Sequence, residues 1–146
     1  MVEVKDDTRG LLKECSAGIK MAVRSIDEVL DTVENNKLKK ILEDSKAEHE
    51  KEETKINVLL AKCDASEQEP KMMASAMSWL KINAKIMADN SDKTVAGLII
   101  DGCDMGIKSL CGYKNEYSEA DREAQEAANR LIDVEEKLAH DLREYL

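Results

Sequence analysis

Apolar and small residues recur every three or four positions along most of the chain, the period of one face of a helix. The first such stretch runs from about Asp7 to Val33, with Leu11, Cys15, Gly18, Ile19, Ala22, Ile26, Val29 and Val33 on one side. Glu34-Asn35-Asn36 ends it, since asparagine tolerates the left-handed conformation that closes a helix. The second runs from about Lys37 to Cys63 and turns Leu38, Ile41, Leu42, Ser45, His49, Glu52, Ile56, Leu59, Leu60 and Cys63 inward. The middle of that stripe is polar. Asp64 to Pro70 breaks the pattern, with the only proline near the start of the next helix.

A shorter helix is predicted over 70–88. Met73, Ala76, Met77, Leu80, Ala84 and Met87 lie on one face, and Met72, Trp79, Ile82 and Ile86 on the other. A helix apolar on two sides is buried on two sides, between the neighbouring hairpins or against another subunit. Asp89-Asn90-Ser91-Asp92 follows, and Ser91 or Asp92 suits an N-cap. The third long helix covers about Lys93 to Tyr117, with Val95, Ile99, Gly102, Cys103, Gly106, Leu110, Tyr113 and Tyr117 inward. The fourth runs from Ser118 or Ala120 to Tyr145 on a stripe of Ala120, Ala124, Ala127, Leu131, Val134, Leu138, Leu142 and Tyr145. The spacing thus predicts an all-α chain: one domain over 1–146, made of a hairpin at 7–63, a crossover helix at 70–88 and a hairpin at 93–146.

An internal repeat supports two related hairpins. Cys15-x-x-Gly18-Ile19-Lys20 recurs as Cys103-x-x-Gly106-Ile107-Lys108, each copy in the first long helix of its hairpin. The glycines fall on the inward stripes, where they predict notches for close helix approach, with Gly102 adding another.

Composition sharpens this picture. Among 146 residues there are six glycines, one proline and no phenylalanine, so turns are few and elements long. The net charge of −9, with basic residues interleaved among acidic ones, argues against nucleic acid and against anionic membrane surfaces as partners. The amino-terminal residues are polar, and no apolar run approaches the roughly 18 residues of a membrane span. The four scattered cysteines are expected to be free thiols in a cytoplasmic protein.

The segments Trp79-Leu80-Lys81-Ile82-Asn83, Asp101 to Leu110, and Glu136-Lys137-Leu138-Ala139-His140-Asp141-Leu142-Arg143 resemble those of uncharacterised ferritin-like bundle proteins from Gram-positive bacteria, over nearly the whole chain. The resemblance implies a ferritin-like antiparallel four-helix bundle with a long crossover. It implies no particular activity. A ferritin di-iron centre requires inward glutamates and a Glu-x-x-His on each of two helices. Here Lys46 stands three residues before His49, and Lys137 three before His140. His140 falls opposite Leu131, Leu138 and Leu142, towards solvent, and Glu14 lies on a flank.

Candidate chemistry is left in the polar middle of the second helix. His49 and Glu52, with Cys15 and Cys103, are predicted to share one layer of the bundle, with Glu135 as a neighbour from the fourth helix. Imidazole, carboxylate and thiolate together could hold zinc or iron. The alternatives are a hydrogen-bonded His49–Glu52 pair with no cofactor, or a rotation of the second helix that takes one or both residues to solvent. No phosphate-binding glycine loop and no nucleophile set beside a base is found. Two readings of function follow: a non-enzymatic bundle that self-associates as a homodimer or other oligomer, or binds a partner, through Met72, Trp79 and Ile86; or a metal-binding or redox protein using the His49 layer.

Overall fold

A computed structural model describes residues 2–65 and 88–146. It contains four long helices: α1 (Val2–Leu30), α2 (Asn36–Lys62), α3 (Asp92–Glu116) and α4 (Arg122–Leu142), the last followed by a 3-10 turn, Arg143–Tyr145. No strand occurs among the described residues. The expected crossover helix at 70–88, with Met72, Trp79 and Ile86, lies outside them.

Local chemistry sets the boundaries. α1 ends at Leu30, earlier than the apolar period suggests, where the Thr32 hydroxyl donates to the Val29 carbonyl at 2.8 Å and tightens the last turn. Asn35 does not close α1 in a left-handed conformation. It is extended (φ −72°, ψ 122°) and caps α2, its side-chain oxygen accepting from the N–H groups of Lys37 and Leu38. The left-handed residue is Asp64 (φ 53°), after α2. There Ala65 N–H donates to the Leu60 carbonyl and Asp64 N–H to that of Ala61, the paired bonds of a Schellman ending. Ser91 caps α3 through Thr94 N–H, and Asp121 caps α4 through Ala124 N–H.

The contacts between helices are ordered along the bundle. Arg9 donates to the Cys63 carbonyl, Lys20 meets Glu53, and Lys46 meets Asp27, so contacts climb α2 as they descend α1. At one end, Asp7 and Thr8 accept from the backbone of Glu119 and Asp121, bringing the α3–α4 turn beside the start of α1. At the other, the Asp92 carboxylate accepts from the N–H groups of Glu34 and Asn35. The chain therefore leaves α2 at one end of the bundle and enters α3 at the opposite end.

The inward stripes bury as their period predicts, but the core is not continuous. One apolar cluster gathers Leu11, Leu12, Cys15 and Ile19 with Ile56, Leu60, Leu110, Leu131 and the alanines 124, 127 and 128, and Tyr113 and Tyr117 stack beside it with ring centroids 6.5 Å apart. The other gathers Ile26, Val29, Leu38, Leu42, Val95, Ile99, Cys103, Leu138 and Leu142.

The glycine notches fall elsewhere than expected. Among the described residues, a Cβ at Gly18 or Gly102 would meet nothing within 4 Å, and at Gly106 it would make ordinary 3.7 Å contact with the Glu135 carboxyl. The close approach is at Gly10, where a Cβ would stand 2.5 Å from the Tyr117 ring. Only there does a side chain on α1 have no room.

Candidate functional site: a buried polar layer

Between the two apolar clusters the inward positions of α2 carry Ser45, His49 and Glu52, all buried. Helical spacing of three and four residues aims them at the same interior, so a polar set is unavoidable once the flanking leucines and isoleucines are buried. α4 answers with Glu135, also buried, and with Arg130.

His49 is fully buried, and both ring nitrogens are engaged. Nδ1 lies 2.8 Å from the Ser45 carbonyl, which can only accept, so Nδ1 carries a hydrogen. Nε2 lies 2.7 Å from Glu135 Oε1. Burial by itself pulls the imidazole pKa down. The hydrogen bond and charge of Glu135, with the Ser45 carbonyl and the charge of Glu48, outweigh it and leave the pKa raised. Both nitrogens are thus placed to donate, Nδ1 to the Ser45 carbonyl and Nε2 to the Glu135 carboxylate, an arrangement that favours the protonated ring.

Glu52 does not pair with His49. Its Oε2 accepts from Arg130 Nε at 3.0 Å and its Oε1 from Lys55 at 3.4 Å. A third pair, Lys137 to Glu48 at 3.1 Å, lies nearer the surface. All three links between α2 and α4 join the first hairpin to the second, with charges balanced inside the layer. Glu135 was reachable from the sequence by register. Arg130 is signalled only indirectly, since a carboxylate on an inward stripe calls for a cation at its level on a facing helix.

The two thiols do not share this layer: only Cys103 reaches one of its members, Glu135. Cys15 belongs to one apolar cluster and Cys103 to the other. Burial, and then the charge of Glu14, pushes the Cys15 thiol up to about 12. Burial, followed by the charge and hydrogen bond of Glu135, raises Cys103 further. Such thiols stay protonated near neutral pH, and the thiolate is the form that binds metal or attacks an electrophile. His49, Glu52, Cys15 and Cys103 therefore do not converge, and no group of three or more His, Cys, Asp or Glu side chains among the described residues is placed to hold a metal ion. The donor set does not fit iron or zinc: the imidazole is used on both nitrogens, and Glu52 neutralises Arg130. His140 is exposed, as its helical position predicts.

Grooves among the described residues are small, one beside the layer and one at the end of the bundle. One, of about 70 Å³, runs between α2 and α4 past Asp44, Ser45, Glu48 and Lys137; the other, of about 60 Å³, lies by Thr8 and Cys63. Sites for small organic ligands hold roughly 300–1,000 Å³. Among the described residues no helix is long and apolar enough to cross a membrane.

No family model, curated relative or solved structure matches this chain.

Proposed function

We propose that this chain is a non-enzymatic cytoplasmic helical bundle that works by self-association, its two duplicated hairpins arranged in the antiparallel, ferritin-like topology with a crossover along the bundle. The observation that carries this reading is the state of His49. It is the one buried imidazole among the described residues, and both its nitrogens are consumed by protein partners. A catalytic or metal-binding imidazole keeps one nitrogen for substrate, water or metal. With Glu52 and Glu135 also paired, the polar layer locks one hairpin to the other, and the surface is what remains to act. The entry of the chain at opposite ends of the bundle before and after residues 66–87 supports the crossover.

Size-exclusion chromatography with light scattering on the full chain tests the reading. A dimer or larger species that dissociates on dilution is expected, and a strict monomer at high concentration overturns it.

A further inference from the structure

The seam between α2 and α4 is held differently from the rest of the bundle. Within each hairpin a short turn joins the two helices, whereas α2 and α4 belong to different hairpins. The hairpins are tied at both ends, by Asp7 and Thr8 to the α3–α4 turn and by Asp92 to Glu34 and Asn35. Apolar clusters lie towards each end. Between them the seam carries His49–Glu135, Arg130–Glu52 and Lys137–Glu48. The groove of about 70 Å³ runs along this same seam and reaches Ser45, the residue that bonds His49 Nδ1. That volume has room for a few water molecules.

Four helices place titratable groups around His49. α4 brings Glu135, together with Arg130 and Lys137. α2 brings Glu48 and Glu52, which take Lys137 and Arg130. α3 brings Cys103, whose thiol bonds Glu135, with exposed Asp104 beside it. α1 brings Lys20 and Asp27, which meet Glu53 and Lys46 of α2, and exposed Arg24. Of these, Glu135 is the group that bonds the ring. The Arg130–Glu52 and Lys137–Glu48 pairs keep their charges across neutral pH. The imidazole–carboxylate pair depends on a proton that can leave there.

We propose that His49 and Glu135 form a proton-operated latch: one proton held between them closes the two hairpins along the α2–α4 seam, and its loss to solvent lets the middle of the seam open locally while the apolar ends stay packed. Without that proton Nδ1 still donates to the Ser45 carbonyl, so the Nε2 lone pair faces a buried carboxylate oxygen 2.7 Å away. Neither atom can then donate to the other, and each needs a donor from water. Burial lowers the proton affinity of the ring in the closed seam, but Glu135, the Ser45 carbonyl and Glu48 outweigh it and raise its pKa. An open seam returns the ring to its ordinary value of roughly 6.5. Opening is therefore rarest below that value and rises with pH until the closed-state pKa is passed, by at most about tenfold per unit for one proton.

Native-state hydrogen exchange on the full chain, between pH 6 and 8 and in low urea, tests the latch. Protection factors are compared, which divides out the intrinsic pH dependence of exchange. Amides of 46–55 and 130–138 are expected to lose protection roughly tenfold or more as pH rises, with little dependence on urea, the mark of a local opening. Amides of 11–19 are expected to be better protected and to follow global unfolding, with its steep urea dependence. His49→Gln and Glu135→Gln each keep a hydrogen-bonding side chain without the shared proton. Both are expected to flatten the pH profile of 46–55, with helicity unchanged by circular dichroism. Protection at 46–55 that ignores pH in the wild type overturns the latch. So does exchange there that matches 11–19 in protection and urea slope at every pH, or a Glu135→Gln variant that keeps the wild-type slope.

Discussion

At one end of the bundle Leu11, Leu12 and Leu60 close against alanines of α4; in the middle His49, Glu52, Arg130 and Glu135 meet with charge. Both regions are built from inward residues of the same helices. Apolar packing is non-directional and sums over area, so any one leucine contributes part of a total. The polar layer is pairwise. Each group is tolerable only because its partner is present, and removing one partner leaves a buried charge alone. The ends hold the helices together, and the middle decides which helix faces which.

Breaking a pair should therefore hurt more than breaking it twice. Glu135→Ala leaves the His49 imidazolium buried without its acceptor, and we expect a loss of about 3–5 kcal/mol in urea unfolding. His49→Leu combined with Glu135→Leu removes both charges. It should recover most of that loss, at the expense of the specificity with which α2 and α4 align. Equal damage in the single and double variants would contradict a pairwise layer. In an apolar end, Leu42→Ala should cost about 2–5 kcal/mol through lost burial and the cavity left behind, with no second-site leucine that rescues it.

The ends were legible in the sequence and the middle only in part. Leu38, Leu42, Ile56 and Leu60 bury where the helical period puts them, because burial of a stripe depends only on residues of one helix. The polar stretch Ser45-His49-Glu52 was read as buried by the same period, correctly. Its partners were not fixed by it. Whether His49 meets Glu52 or Glu135 depends on how α4 is rotated and shifted against α2, a property of two helices that no single stripe contains. The repeat misled for the same reason. Cys15 and Cys103 occupy like positions in their own hairpins, yet they fall in separate clusters. Of the candidate metal ligands named from the sequence, His49 pairs with Glu135 and Glu52 with Arg130.

The layer should also make stability depend on pH, whereas the apolar ends should not. His49 has a folded pKa raised above its unfolded value of roughly 6.5. Its stabilisation is thus fully present below that value and is lost as pH rises through the folded pKa. Between pH 6.5 and 8, below the range in which free thiols titrate, unfolding midpoints should fall with rising pH, by at most about 1.4 kcal/mol per unit for one proton. His49→Gln should flatten the profile. A wild-type profile that rises across this window would mean that His49 folds as the neutral base.

The smallest effects separate glycines that look alike in sequence. Gly10 and Gly18 both sit within α1, and only Gly18 belongs to the repeated motif. Gly10→Ala must push a Cβ against the Tyr117 ring at 2.5 Å. The ring is half-buried against the apolar cluster, so displacing it should cost about 1–3 kcal/mol. Gly18→Ala meets open space, with ordinary helical φ, and should stabilise by about 0.5–1 kcal/mol through the helix preference of alanine alone. Opposite signs in paired denaturation curves would show that the close helix approach at the apolar end is between Gly10 and Tyr117. Destabilisation by Gly18→Ala would mean that the repeated glycine is covered by something outside the described residues or by another copy of the chain.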